Sequence, residues 1–219
     1  ASGNLIAMRP AAPPTEDVLQ ELIAKFPEIV SETDGELLLV RREIGVPDAE
    51  EASDRWSLDH LFVSKNAVFV LIEVKRASDT RIRREVVGQL LDYAANGIAY
   101  WPSGTLKAAF KATCDQDGVD EAGRIGAFLD GENVDEFWDQ VDANLSAGRL
   151  RMVVAADVIP SELARIIEFL NEQMRAEVRA VELRYFESED GKRTLVPRII
   201  GDTEKAKSAK SNISRADLP

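Results

Sequence analysis

The run Ala67-Val68-Phe69-Val70-Leu71-Ile72 ends on Glu73-Val74-Lys75, and that junction limits what this chain can fold into. The run is β-branched and aromatic, too short to span a membrane, and bounded by Ser64-Lys65-Asn66 before and Ser78-Asp79 after. It reads as a central strand buried on both faces. Side chains alternate along a strand, so Phe69, Leu71, Glu73 and Lys75 share one face, and Val68, Val70, Ile72 and Val74 the other. An acid and a lysine therefore stand side by side at the end of a buried strand.

The preceding stretch, Leu58-Asp59-His60-Leu61-Phe62-Val63, is also strand-like, and a short link around Lys65 and Asn66 predicts an antiparallel hairpin. If Asp59, Leu61 and Val63 face the same side as Phe69, Leu71 and Glu73, pairing brings Asp59 nearly opposite Glu73. Opposed residues lie about 4.5–5.5 Å apart at Cβ. Two carboxylates that close repel unless a cation lies between them. Oxygen ligands from two acids, with positions left for water and phosphate, suit Mg²⁺ or Mn²⁺ better than zinc. Taken singly, Asp59 also reads as a strand-end residue, and Glu73 with Lys75 as an ion pair at a solvent edge.

Composition narrows the alternatives. The chain has 219 residues, 45% hydrophobic and 30% charged, which fits one soluble domain or one core with an appendage. Its single cysteine, Cys114, excludes an intrachain disulfide, and one Cys with one His cannot build a Cys/His zinc site. His60 lies on the opposite strand face from Asp59, so a structural role suits it better than catalysis. A net charge of −12 argues against tight non-specific binding to nucleic acid. That average hides a basic patch from Lys75 to Glu85 that contains Arg76, Arg81, Arg83 and Arg84. The patch reads equally as a solvated helix start.

Along the chain, residues 1–14 are expected to be a flexible lead-in, without a basic-then-apolar signal pattern. Thr15 caps a helix running to Phe26, and Leu19, Leu22, Ile23 and Phe26 form its apolar stripe. Glu16 lies near that stripe and is the better candidate to look inward; it also fits as a first-turn acid favoured by the helix dipole. Strands are expected at Glu36–Ile44, in the hairpin of Asp59 to Lys75, at Arg149–Ala156, Val178–Phe186 and Thr194–Ile199, with a loop over Gly45–Trp56. Helices are expected from Arg81 to Asn96, closed by Gly97, and from Ser161 to Met174, and a helical insertion spans 100–148. Gln89 and Tyr93, one turn apart, sit at the margin of a stripe of Ile82, Val86, Leu90 and Ala94. Their polar heads need partners there. Trp101 and Trp138 read as packing residues, and the tail over 201–219 as disordered. Strands alternating with helices give an α/β or mixed α+β class with residues 15–200 as one domain.

In this order, an acid-bearing helix, a hairpin Asp, a strand ending Glu-x-Lys and a helix carrying Gln-x-x-x-Tyr resemble the PD-(D/E)XK nuclease superfamily. Gln89-Leu90-Leu91-Asp92-Tyr93 is similar to the extra motif of its RecB-like branch. Together with Glu16-Asp17-Val18-Leu19-Gln20 and Ser57-Leu58-Asp59-His60-Leu61-Phe62, the set looks most like the NucS-type endonuclease domain. The resemblance covers about Thr15 to Asn96, with Arg149–Ala156 as a fourth core strand; Leu58 stands where the family name calls for Pro. It implies a restriction-endonuclease-like αβββαβ core with a central mixed sheet, extended by a C-terminal αβ unit. It implies Mg²⁺ or Mn²⁺ on Asp59, Glu73 and the Val74 carbonyl, with Lys75 orienting the nucleophile and Glu16 completing the acidic cluster. Gln89 and Tyr93 would shape the site, and Arg76, Arg81, Arg83 and Arg84 would contact phosphates.

The expected function is a metal-dependent DNA nuclease, an endonuclease in DNA repair or defence, cytoplasmic and able to act as a homodimer. The competing expectation is a catalytically inactive nuclease-fold module that binds or assembles a partner, motivated by the acidic surface and the lack of a separate DNA-binding module. Other α/β enzymes lack support, because the chain has no phosphate-binding glycine loop, Gly-x-Ser-x-Gly elbow or dinucleotide fingerprint.

Overall fold

The computed structural model describes residues 5–31, 35–46, 56–79, 82, 85–208 and 210. In chain order the elements are β1 (Arg9–Pro10), α1 (Glu16–Lys25), α2 (Glu28–Ser31), β2 (Leu37–Val46), β3 (Trp56–Ser64), β4 (Phe69–Lys75), α3 (Glu85–Tyr100), α4 (Thr105–Asp117), α5 (Glu121–Leu129), α6 (Val134–Ser146), β5 (Leu150–Ala156), α7 (Ser161–Gln173), β6 (Glu177–Glu187) and β7 (Arg193–Ile200). The chain is mixed α/β, with one seven-stranded mixed sheet flanked by helices.

The strand order is β1-β6-β5-β4-β3-β2, with β7 also on β6. β4 pairs antiparallel with β3 and parallel with β5, and all seven of its residues are buried. Its near-continuous apolar sequence follows from this central place, because each face must pack against helices. On one face Leu61, Val63, Phe69 and Leu71 join residues of α3 to α7 in the larger core. On the other, Phe62, Val70, Ile72 and Val74 pack with Leu19 and Ile23 of α1 and Val30 of α2. The alternation expected along the hairpin is therefore the alternation between two cores.

Local signals place the flanking elements. The Thr15 hydroxyl accepts from the Val18 amide at 3.3 Å and starts α1 where Glu16 and Asp17 meet the positive helix end. The hairpin turns through Ala67, which takes a positive φ of 57°, and the Ala67 amide donates to the Ser64 carbonyl. A β-bulge shifts the β2–β3 register between Leu39 and Arg41, and Thr113 of α4 donates to the Val40 carbonyl there at 2.7 Å.

Three expectations need correction. The lead-in is not free throughout: Arg9 and Pro10 pair with Glu187 and Phe186, and the Ala11 amide donates to Tyr185. β6 outruns its pairing with β5 at Glu182 and leaves open edge for them, which a two-residue strand containing proline cannot signal in sequence. The segment after Asp202 is ordered in part, as a helical turn over 204–208 in which Ala206 is buried. Lys210 reaches the carbonyls of Met174 and Ala176 at 3.0 Å each, so a lysine-rich stretch docks by capping the chain end of α7. Residues 1–4, 209 and 211–219, with most of the expected loop at 47–55, lie outside the described residues.

Gly97 does not close α3, which is described from Glu85 and continues through Gly97 to Tyr100. A Cβ at Gly97 would stand 3.1 Å from two ring carbons of Trp101, so the glycine is there for the indole to lie against the helix. Gly88 of the same helix has nothing within 4 Å of such a Cβ. Urea unfolding is expected to separate the two: Gly88→Ala stabilises by about 0.5–1 kcal/mol through helix propensity, whereas Gly97→Leu destabilises by about 1–3 kcal/mol through overpacking. Equal effects at the two positions would contradict the packing role of Gly97.

Candidate functional site

The C-terminal end of β4 is a charged terminus on an apolar strand. The β3–β4 ladder runs from Val63↔Phe69 to His60↔Ile72, a register that puts Asp59 across from Glu73 as the hairpin parity predicts. Beyond that last pair the Asp59 carboxylate takes over, accepting from the Val74 amide at 2.7 Å. Asp59 thus holds the end of β4 in position and sits beside Glu73 on the same face.

Lys75 is the centre of the cluster. Its ammonium donates to Glu73 Oε1 at 2.7 Å and to the Val74 carbonyl at 2.9 Å. Glu16 Oε1, carried in from the other face by the first turn of α1, is 3.6 Å away, and Asp59 Oδ2 is 3.9 Å away. Three carboxylates from α1, β3 and β4 therefore converge on one buried ammonium. Glu73 is 3% exposed and Lys75 5%.

Burial and crowding leave their mark on ionisation. Burial, then the charge of Asp59, pushes the Glu73 carboxyl up to about 7. Burial also raises Asp59, against the Val74 amide and the Lys75 ammonium, which favour its charge. Burial pulls Lys75 down, and the attraction of Glu73, Asp59 and Glu16 overcomes it, leaving Lys75 above the ordinary lysine range. Such displacement by desolvation plus identified neighbours is typical of working sites.

On the α3 side, Tyr93 is buried and donates from its hydroxyl to the Ser57 carbonyl at 3.2 Å. Burial, then the charges of Glu73 and Asp59, pushes its phenol well above the usual range, so it stays a donor. Gln89 is half-buried, and among the described residues Gln89 Oε1, Glu73 Oε2 and Arg76 Nε are buried without a hydrogen-bond partner. Two acceptors and a donor left unsatisfied within one chain region are costly, and ligand contacts would relieve that cost. Arg81, Arg83 and Arg84 lie outside the described residues.

His60 is remote from this chemistry. It is fully buried on the α1 side, and its Nε2–H donates to the Gln20 carbonyl at 2.9 Å. Burial lowers its pKa to about 4. Two contributors escaped the sequence reading. The β2–β3 register sets Glu43, with a positive φ of 50°, across from Asp59, and its charge raises the Asp59 carboxyl further. Parity along β2 could have suggested this only with the bulge known. Asp157, just past β5, accepts from the Ala77 amide at 2.6 Å and fixes the chain that leaves Lys75; no local motif marks it.

The donor set fits a hard divalent cation. Asp59, Glu73 and the Val74 carbonyl supply only oxygen, and Glu73 Oε2 is a buried acceptor without a donor among the described residues. Among the described residues, no three Asp, Glu, His or Cys side chains form a metal cage by themselves. Two carboxylates, a carbonyl and water are a customary Mg²⁺ shell, whereas zinc asks for nitrogen or sulfur. No family model, curated protein or solved structure matches this chain.

Two titrations follow. His60 is the one histidine of the chain, so its imidazole signal in proton NMR is unambiguous; it is expected not to titrate from pH 8 to 5, and a midpoint near 6.5 would contradict its burial. Its lowered pKa gives stability that is full above the unfolded value and lost as pH falls toward 4. Glu73 has the opposite sign. A carboxyl raised from 4.5 to about 7 binds its proton more tightly when folded, so its stability contribution is lost as pH rises through that window. Without metal, Glu73→Gln is expected to gain stability relative to the unsubstituted protein between pH 5 and 8, by about 1–3 kcal/mol. A difference independent of pH would contradict the assignment.

Proposed function

We propose that this chain is a metal-dependent DNA nuclease of the PD-(D/E)XK type, most similar to the NucS-type endonuclease domain. The observation that carries the reading is the convergence of Asp59, Glu73, the Val74 carbonyl and Glu16 on Lys75, with Glu73 Oε2 buried and without a partner among the described residues. The order α1, β2, β3, β4, α3, β5 supports it, because that is the αβββαβ order of the restriction-endonuclease-like core.

In this reading Asp59, Glu73 and the Val74 carbonyl hold Mg²⁺ or Mn²⁺, and the ion supplies Lewis-acid charge and a water of lowered pKa. The remaining work belongs to the protein. Lys75 carries positive charge into the middle of the acid cluster, from which it orients the attacking oxygen and offsets charge on a scissile phosphate. Tyr93 ties α3 to the backbone of β3, and Gln89 stands one turn before it on the same helix. Arg76 offers a buried N–H to the phosphate backbone, a contact that positions DNA without reading its sequence. Burial around Glu73 keeps competing water away from these charges.

Incubation with single-stranded, duplex and branched DNA is expected to give cleavage that requires Mg²⁺ or Mn²⁺. Asp59→Ala, Glu73→Ala and Lys75→Ala should each lower the rate at least about a hundredfold. Cleavage that survives these substitutions, or none on any substrate with metal present, would overturn the reading. One observation favours the inactive binding module instead: Lys75 already pairs with the acids. That module would fold normally and bind DNA or protein, yet show no heat of Mn²⁺ binding in calorimetry.

A further inference from the structure

The atoms assigned to a metal are the atoms that Lys75 already occupies. Its ammonium contacts Glu73 Oε1 at 2.7 Å, the Val74 carbonyl at 2.9 Å and Asp59 Oδ2 at 3.9 Å, which covers each residue of the proposed ligand set. Glu16 Oε1, at 3.6 Å, closes the fourth side. The same lysine therefore offsets part of the negative charge of the cluster. A divalent ion taking the Val74 carbonyl and the Glu73 carboxylate would stand close to an ammonium in hydrogen-bond contact with both, and like charges brought together in a buried setting repel.

We propose that Lys75 is an internal counter-cation that competes with the divalent ion for one set of oxygens. The inference rests on the metal-site reading above and adds a regulatory consequence to it. In the metal-free protein the ammonium keeps three mutually repelling carboxylates in one place. A bound metal would displace Lys75 Nζ from Glu73 Oε1 and the Val74 carbonyl, and the ammonium would turn away from them. Glu73 Oε2, buried and without a donor among the described residues, is an acceptor that a bound ion would satisfy. The lysine becomes available to a phosphate only once metal has displaced it, so an unloaded site does not present its catalytic cation. Metal affinity is held down by the protein's own lysine, the reverse of what a purely supporting residue would do.

Mn²⁺ calorimetry at pH 8 on the full chain and on Lys75→Met tests this. Competition predicts that the variant binds Mn²⁺ about tenfold more tightly or better, and that its melting temperature rises more on Mn²⁺ addition than that of the unsubstituted protein. Equal or weaker binding by Lys75→Met, with the unsubstituted protein binding normally, would overturn the counter-cation proposal and leave the metal site intact. Absence of Mn²⁺ binding in both proteins, with Asp59→Ala unchanged from them, would overturn both. Because Lys75→Met could fail to fold without metal, a second measurement uses the unsubstituted chain. The Lys75 ammonium signal in nitrogen-detected NMR is expected to show proton exchange accelerated at least about tenfold by saturating Mg²⁺, as protection by buried hydrogen bonds is lost. Unchanged exchange at saturation would overturn the displacement.

Discussion

The candidate site is organised around the bonds from Lys75 to Glu73 and the Val74 carbonyl at the end of β4. Three carboxylates gathered at the edge of a core are unstable without positive charge between them. Lys75 provides it, at 2.7 Å from Glu73 and within 4 Å of Asp59 and Glu16. Such an arrangement contributes little net stability over apolar packing of the same shape, since both charges lose water.

The fold makes that arrangement possible by burying β4 on every side. β3 and β5 satisfy its backbone, α1 and α2 cover one face, and α3 with the later helices covers the other. Each layer then sends one element to the strand's end. The first turn of α1 brings Glu16, β3 brings Asp59, and α3 is tied in by the bond from Tyr93 to Ser57. The two apolar cores thus fix the strand directions, and the polar groups inherit their positions.

Much of the site was legible in the chain. Period-two alternation fixes the faces of Asp59, Glu73 and Lys75, and a short turn fixes the register that brings the acids together. The helix pattern placed Tyr93 toward the sheet, and Thr15 marked the start of α1. What could not be read depends on distant partners. Glu43 reaches the neighbourhood of Asp59 through a bulge, and bulges leave no sequence pattern of their own. Gly97 reads as a helix end because glycine commonly is one, and only the Trp101 ring shows why it is internal. Arg9 and Pro10 join the sheet because β6 outruns β5, and the segment around buried Ala206 is tied down by Lys205 on Glu172 of α7 and Lys210 on the Met174 and Ala176 carbonyls. No periodicity encodes a vacancy in another element. Nor does the sequence reveal that Lys75 lies on the very oxygens a metal would use, since that requires the side-chain path as well as the face.

The most direct test of the central claim is anomalous diffraction from crystals soaked in Mn²⁺. A single ion bound by Asp59, Glu73 and the Val74 carbonyl at about 2.0–2.3 Å, with the Lys75 ammonium moved off that carbonyl, is the predicted result. Lys75 still seated on Glu73 and Val74 at saturating Mn²⁺, with no anomalous peak between Asp59 and Glu73, would contradict it.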